Sequence, residues 1–263
     1  MRKSLSFIAI ILVCILLVAC VSSMVNSFEI ISSSVPNLSP KETSPLENSS
    51  ESLDEEDVSF SDLTYVSFGD SITWGKYPQY NGLYMEKSYP VLVGEILGLK
   101  QVVNCAVSGS TIAFHEDLTN LTTQLTDAPS EADIVSVMIG VNDYTFMSTL
   151  GTIEDSDIST VYGGLNVIVN ALKEKYPDAF IFFMTPYPCY NPAWGDITQQ
   201  EIVQAIKEVC AANSIPCLDM YNYGNFTLVN DPNTDGVHPT QEFTNSYTAP
   251  QVAEYIRLNY RGK

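Results

Sequence analysis

The sequence predicts an α/β protein with a central parallel sheet of about five strands and helices on both faces of that sheet. Three observations predict this fold: apolar runs of strand length, amphipathic segments of helix length between them, and the regular alternation of the two. Strands that are covered on both faces have nearly continuous apolar sequences, which is the pattern of these runs. The sequence has no internal repeat.

Five apolar runs are interpreted as the strands, and four segments between or after them as helices. The predicted strands are LTYVSF (63–68), QVVNCAV (101–107), ADIVSVMIG (132–140), AFIFFMT (179–185) and IPCLDMY (215–221). The predicted helices are KSYPVLVGEILGL (87–99), STVYGGLNVIVNALKEKY (159–176), ITQQEIVQAIKEVCAAN (197–213) and APQVAEYIRLNY (249–260). In the segment 159–176, apolar residues recur at helical spacing at Leu165, Ile168, Val169 and Leu172.

The first twenty residues have the pattern of an export signal. They begin with Arg2 and Lys3 and continue with an apolar run of about 15 residues, which is short for a bilayer span of about 20. The final LVAC (17–20) resembles the lipobox of bacterial lipoproteins. That resemblance implies that a signal peptide, residues 1–19, is removed and that Cys20 carries the lipid, for which two acyl chains give stable anchoring. An uncleaved signal anchor and plain secretion are the alternatives.

Residues 20–57 are predicted to be the lipidated Cys20 followed by a disordered tether. The segment is rich in Ser, Pro, Asn and Glu and ends in the acidic run DEED (54–57). Such a composition cannot bury enough apolar surface to fold, and its negative charges repel one another. We therefore expect one folded domain, 58–263, at the cell membrane on the extracytoplasmic side, or secreted.

The charge and the histidine count exclude several classes of function. The 263-residue chain has a formal net charge of −19, which repels phosphate backbones and argues against a nucleic-acid partner. Its two histidines, His115 and His238, belong to no cluster with metal-site spacing, so we predict no metal site, and a site made only of carboxylates is the alternative left open. His115, in TIAFHEDL (111–118), is interpreted as a surface residue.

Distinctive polar motifs follow the predicted strands, at the edge where parallel sheets carry their functional groups. FGDSIT (68–73) ends the first strand, and DGVHP (235–239) follows the last one. A serine hydrolase needs a hydroxyl nucleophile, a histidine base and a carboxylate that orients the base. Ser71, His238 and Asp235 can supply these groups, because a tight turn brings Asp235 and His238 to one side.

Two further motifs can supply donors for a developing oxyanion. Gly109, in AVSGST (106–111), leaves its backbone N–H open, and Asn142, in GVND (140–143), carries a side-chain amide. Each motif alone also fits an ordinary turn, strand end or helix cap. Asp70 and Asp143 are assigned to hydrogen bonding within loops. The joint occurrence of the motifs, in order and each at the expected edge, indicates a catalytic site.

These blocks together resemble the SGNH, or GDSL-type, hydrolase superfamily. The resemblance runs from Phe68 to His238, essentially the whole folded region. It places Ser71 as the nucleophile, Asp235 and His238 as the acid and base, and Ser71, Gly109 and Asn142 as the oxyanion hole.

The resemblance implies a flavodoxin-like three-layer α/β/α sandwich and acyl transfer from an ester through an acyl-enzyme, without a cofactor. The other hydrolase pattern, Gly-x-Ser-x-Gly, is absent because position 73 is Thr, which argues against the α/β-hydrolase fold. Two alternatives are a surface O-acyltransferase with the same triad and a catalytically inactive glycan-binding lipoprotein. The complete set of five residues argues against the second.

The substrate is expected to be a small-molecule or polysaccharide ester, with short acyl or acetyl groups favoured. Aromatic residues on loops near the predicted site can stack on sugars, line an acyl pocket or simply pack against the domain. They are Trp74, Tyr77, Tyr80, Tyr84, Tyr89, Tyr187, Tyr190 and Trp194.

Four cysteines remain after the predicted processing: Cys105, Cys189, Cys210 and Cys217. Free thiols are favoured, with a Cys210–Cys217 disulfide as the alternative, because export permits one. After His238, Pro250 is predicted to delay the last helix and to leave a long loop behind the histidine.

Overall fold

The computed structural model describes residues 58–76, 85–146, 148–189, 197–222 and 234–262. The predicted signal peptide, Cys20 and the tether lie outside the described residues. Among the residues that are described, no helix has the length and apolar character needed to cross a membrane.

The core of the domain is a parallel sheet of five strands in the order β2-β1-β3-β4-β5. The strands are β1 (Thr64–Gly69), β2 (Gln101–Asn104), β3 (Ile134–Met138), β4 (Phe180–Met184) and β5 (Cys217–Leu218). Strand β1 lies inside the sheet, where Val66 pairs with Val103 on one side and with Val135 on the other. The predicted α/β fold class with a five-stranded parallel sheet is confirmed.

The apolar runs reflect burial on both faces of the central strands. Every residue from Tyr65 to Gly69 in β1, and every residue of β3, is buried. The two edge strands are shorter than the runs predicted for them. The backbone of Val107, beyond the end of β2, still donates a 3.2 Å hydrogen bond to Gly69, so the chain follows β1 as it leaves the sheet.

Helices cover both faces of the sheet. They are α1 (Ser71–Trp74), α2 (Tyr89–Leu97), α3 (Leu121–Asp127), α4 (Val141–Thr145), α5 (Val161–Lys175), α6 (Gln199–Ala212), α7 (Gln241–Phe243) and α8 (Ala249–Asn259), with a π-helical turn at Thr244–Thr248. Helix α2 packs against α8, whereas α5 packs against α3 and α6. The four predicted helices correspond to α2, α5, α6 and α8, and the three-layer arrangement is confirmed.

Local sequence explains where helix α6 begins and which face of helix α5 is buried. Helix α6 starts with a capping box, in which Thr198 and Glu201 satisfy each other's backbone N–H groups. In α5 the apolar residues predicted to share one face, Leu165, Ile168, Val169 and Leu172, are all fully buried.

The prediction of a long loop behind His238 is wrong. Helix α7 begins at Gln241, capped by Thr240, whose hydroxyl accepts the backbone N–H of Phe243 at 3.1 Å. The π-helical turn continues directly into α8, where Pro250 occupies the first turn. Proline is tolerated there, because a backbone N–H in the first turn has no partner within its own helix.

Candidate active site

Ser71 lies two residues after the inner strand β1, at the carboxyl edge of the sheet. It is the first residue of α1, which Asp70 caps by accepting the backbone N–H of Ile72 at 2.9 Å. A Cβ atom on the preceding Gly69 would lie 2.3 Å from the carbonyl oxygen of Met138. Glycine is therefore required at this position by close packing against β3.

A tight turn before α7 brings Asp235 and His238 together. One carboxylate oxygen of Asp235 accepts the backbone N–H groups of Val237 and His238 at 3.0 and 2.8 Å. The other oxygen lies 2.7 Å from Nδ1 of His238. Gly236 permits the turn, because its φ of +82° lies in the left-handed region.

The histidine and the serine meet across the sheet edge. Nε2 of His238 lies 2.8 Å from Oγ of Ser71, and both residues are only 7% exposed. Carboxylate, imidazole and hydroxyl thus form one continuous hydrogen-bonded chain. A nucleophile held to a base, with the base oriented by a third group, is the geometry that nucleophilic acyl transfer requires.

The two carboxyl groups near His238 have opposite pKa shifts. Burial raises the pKa of Asp235, but hydrogen bonds from the side chain and backbone of His238 outweigh it, and the net pKa is lowered. The pKa of Asp70 is raised to about 7 by burial. The hydrogen bond from the backbone N–H of Ile72 and the nearby His238 both lower this pKa, but burial outweighs them. At neutral pH the imidazole therefore faces an ionised Asp235 on its Nδ1 side.

Three candidate oxyanion donors follow three neighbouring strands. Among the described residues, the backbone N–H groups of Ser71 and Gly109 have no hydrogen-bond acceptor. Gly109 has a φ of +83°, and a Cβ atom on it would meet nothing within 4 Å, so its surroundings are open. Asn142 donates one amide hydrogen to the carbonyl of Ser110 at 2.8 Å, and its amide carries a second hydrogen.

Asp143 makes hydrogen bonds to loops, as predicted, but it lies itself in the first turn of α4. Its buried carboxylate accepts the backbone N–H groups of Ile112 and Ala113, each at 2.9 Å, and the Ser148 hydroxyl at 3.1 Å. These bonds hold the loop that carries Gly109 against α4. Burial nevertheless raises the pKa of Asp143, although the backbone donors oppose the shift.

The prediction that His115 is a surface residue needs correction. The side chain is half-buried, and its Nε2 lies 2.9 Å from the Ser148 hydroxyl. Through Ser148 it joins the Asp143 network, and it makes no hydrogen bond to Ser71 among the contacts of the described residues.

Sequence reasoning missed Gln124, a buried glutamine of α3. Its Nε2 donates to the carbonyl of Gly69 at 2.8 Å and to the Ser110 hydroxyl at 2.9 Å. Its Oε1 accepts the backbone N–H of Gly69 at 3.2 Å. In LTTQLTD (121–127), Leu121 and Leu125 lie one helical turn apart, but a single apolar pair in seven residues does not indicate that the amide between them is buried.

The aromatic loop residues divide into packing residues and residues outside the described part. Tyr89 and Tyr187 are each 1% exposed and pack in the core, and Tyr187 also hydrogen-bonds Thr248 at 2.6 Å. Trp74 is half-buried. The predictions for Tyr77, Tyr80, Tyr84, Tyr190 and Trp194 lie outside the described residues.

The four cysteines of the domain are free thiols. The neighbouring thiol of Cys210 lowers the pKa of Cys217. Cys189 lies 3.5 Å from the hydroxyl of Tyr144. Across the described parts of the domain, no group of three or more His, Cys, Asp or Glu side chains could hold a metal ion.

Comparison with protein families identifies the class of this enzyme. The chain belongs to the GDSL-like lipase/acylhydrolase family, whose model matches residues 67–243. It is therefore an ester hydrolase. No curated protein matches the chain.

Solved structures with the same fold cover about three quarters of the chain. A Lactobacillus plantarum protein is 22% identical, with a TM-score of 0.66 over 76% of this chain and 99% of its own. A protein from Chitinophaga pinensis, described as a possible lipase, is 20% identical, with a TM-score of 0.61 over 76% and 100%. A carbohydrate acetylesterase family member from Sinorhizobium meliloti is 20% identical, with a TM-score of 0.51 over 74% and 98%.

Proposed function

We propose that the protein hydrolyses carboxylic esters through an acyl-enzyme formed on Ser71. The observation that carries this proposal is the chain of hydrogen bonds from Asp235 through His238 to Ser71, at 2.7 and 2.8 Å. These hydrogen bonds end at the Ser71 hydroxyl, two residues after β1, in a member of a family of ester hydrolases.

In the first half of the reaction, His238 takes the proton of Ser71 as Oγ attacks the ester carbonyl carbon. The carbonyl oxygen becomes an oxyanion, and His238 then donates its proton to the departing alcohol. Asp235 holds the imidazole in the tautomer whose Nε2 faces the serine, and its negative charge stabilises the imidazolium. In the second half, His238 activates water, which releases the acid and restores Ser71.

The oxyanion is assigned to the backbone N–H groups of Ser71 and Gly109 and to the side-chain amide of Asn142. This assignment is supported by the open surroundings of Gly109 and by the bond from Asn142 to Ser110, which orients the amide. Donors that are already in place need no reorganisation as the negative charge develops, so they lower the barrier.

We propose short-chain acyl esters, including acetyl esters of carbohydrates, as the substrate class. The proposal is supported by the fold likeness to the Sinorhizobium meliloti protein, which its description places in a carbohydrate acetylesterase family.

The decisive experiment compares wild type with Ser71→Ala on p-nitrophenyl acetate, longer p-nitrophenyl esters and acetylated xylan. Ser159→Ala is a matched control, because Ser159 is exposed and lies outside the site. We expect Ser71→Ala alone to lose turnover while its circular dichroism spectrum is unchanged. In wild type, a fluorophosphonate probe should form an adduct on the peptide that contains Ser71.

Equal turnover in Ser71→Ala and wild type would reject the proposal. Product that appears only when a sugar acceptor is added would identify an O-acyltransferase.

We also propose that residues 1–19 are a lipoprotein signal peptide and that Cys20 anchors the enzyme to the membrane, facing the extracytoplasmic side. The proposal rests on the lipobox-like LVAC (17–20) and on the Ser-, Pro- and Glu-rich segment up to residue 57. Expression of wild type and Cys20→Ala with an alkyne-labelled fatty acid tests it. We expect label and membrane association in wild type only, whereas an unlabelled wild-type protein would contradict it.

A further inference from the structure

Gln124 connects the two backbone segments that carry the proposed oxyanion donors of the main chain. On one side it bonds both the N–H and the C=O of Gly69, two residues before Ser71. On the other side it donates to the hydroxyl of Ser110, the residue after Gly109. A single rigid amide therefore spans the end of β1 and the loop that follows β2.

The environment of this amide makes its hydrogen bonds hard to replace. Gln124 is 5% exposed, and Ser110 is fully buried. Both amide hydrogens and the amide oxygen are used, which leaves the side chain one orientation that satisfies all three bonds. Buried polar groups that lose their partner cannot turn to water instead, so the bonds hold the side chain and both segments in place.

We propose that Gln124 is a positioning residue that sets the separation between the backbone N–H groups of Ser71 and Gly109. The inference rests on the proposed function, because it concerns the oxyanion donors named there. Gln124 does not touch the substrate in this proposal; it acts through Gly69 and Ser110.

A change in the separation between the backbone N–H groups of Ser71 and Gly109 affects the transition state more than the bound substrate. The two N–H groups stabilise a charge that exists only after Ser71 has attacked the carbonyl, so misplaced donors lower kcat and leave KM nearly unchanged. A misplacement of about 1 Å in an active site can cost on the order of a hundredfold in rate.

The test uses the full-length protein in two variants of different severity. Gln124→Met keeps the length of the side chain and removes all three hydrogen bonds. Ser110→Ala removes only the bond on the Gly109 side and leaves the rest of Gln124 in place. We expect kcat on p-nitrophenyl acetate to fall at least about tenfold in Gln124→Met and about threefold in Ser110→Ala, with KM within about twofold of wild type.

A second readout reports on the oxyanion donors themselves. A p-nitrophenyl phosphonate traps Ser71 as a tetrahedral adduct whose phosphoryl oxygen occupies the same donors, so its inactivation rate falls by the same factor as kcat. The double variant of Gln124→Met and Ser110→Ala is expected to be no slower than Gln124→Met, since one interaction is lost in both.

Tyr176→Phe is the matched control for loss of a buried hydrogen bond. The hydroxyl of Tyr176 donates to the carbonyl of Pro129 at 2.7 Å, beyond the C-terminal end of α3, and makes no hydrogen bond to Gly69 or Ser110 among the described residues. It is expected to lower the melting temperature and to keep wild-type kcat.

The outcomes separate the positioning role from the proposed function. A folded Gln124→Met with wild-type kcat, or a fall in kcat that Tyr176→Phe shares, overturns the positioning role. If Ser71→Ala in the same series retains turnover, the proposed function itself fails. If Ser71→Ala is inactive while Gln124→Met turns over normally, only the role of Gln124 fails.

Discussion

Nε2 of His238 lies 2.8 Å from Oγ of Ser71, although 167 positions separate the two residues in the sequence. The serine follows β1, an inner strand of the sheet, whereas the histidine lies in the segment after the edge strand β5. The contact therefore exists only when the whole domain is folded, and it can be tested from either residue.

His238→Ala removes the proposed base and is expected to lower kcat/KM on p-nitrophenyl acetate by at least about a thousandfold, because the serine hydroxyl keeps its proton. The other histidine gives a matched control. His115→Gln is expected to retain at least about half of the wild-type rate, since His115 bonds Ser148 and not Ser71. Steady-state kinetics of both variants checks this, and comparable losses in the two would contradict the assignment of the base.

Asn142→Ala removes the proposed side-chain oxyanion donor. We expect kcat to fall by on the order of a hundredfold with little change in KM, because the bond from Asn142 to the oxyanion forms only in the transition state. Stopped-flow and steady-state measurements with p-nitrophenyl acetate determine both constants. A rise in KM with unchanged kcat would instead assign Asn142 to substrate binding.

Asp70→Asn is expected to change how stability depends on pH. Burial raises the pKa of Asp70 to about 7, so between about pH 4 and 7 the native state binds a proton that the unfolded chain releases. The stability from this group is complete below about pH 4 and is lost as the pH rises through about 7, by at most about 4 kcal/mol.

The Asp70→Asn variant can still cap α1 and does not titrate, so its unfolding free energy should lack this decline. Urea denaturation of both proteins at pH 5, 6, 7 and 8 measures the difference. Asp235 does not confound the comparison, because its pKa is lowered and its contribution is lost only in acid. Parallel pH curves for wild type and variant would contradict the prediction.

Gly69→Ala is expected mainly to lower stability, and Gly109→Ala mainly to lower the reaction rate. A methyl group on Gly69 would lie 2.3 Å from the Met138 carbonyl oxygen, and overpacking against a backbone atom should cost about 3 kcal/mol or more. A methyl group on Gly109 meets nothing within 4 Å, so only the positive φ opposes it, at about 1 kcal/mol. Thermal unfolding should therefore show the larger loss for Gly69→Ala, whereas Gly109→Ala should remain folded but slow, because its methyl group projects beside a proposed donor.

Much of the fold could be predicted because burial determines its sequence pattern. Central strands such as β1 and β3 are covered on both faces, and continuous apolar runs are therefore their signature. The polar motifs could be placed at one edge because parallel strands end on the same side of a sheet. That rule brings Ser71 and Asn142 to one edge without any knowledge of the strand order.

The remainder depends on tertiary contacts that have no local signal. Gln124 lies in a short polar helix, and its partners Gly69 and Ser110 are 55 and 14 positions away. His115 is half-buried because Ser148 is folded against it, which its own polar surroundings do not indicate. Pro250 suggested a long loop before the last helix, but α7 and the π-helical turn fill that segment and Pro250 falls in the first turn of α8.

His238 follows all five strands in the sequence, and this order has a consequence for biosynthesis. A nascent polypeptide that has emerged as far as β4 already carries Ser71, Gly109 and Asn142, but it has neither general base nor orienting acid. In the proposed mechanism the serine is therefore inert on the ribosome and during any passage of an extended chain through a translocation channel. Hydrolysis in this mechanism therefore requires the segment that carries Asp235 and His238 to be in place beside Ser71.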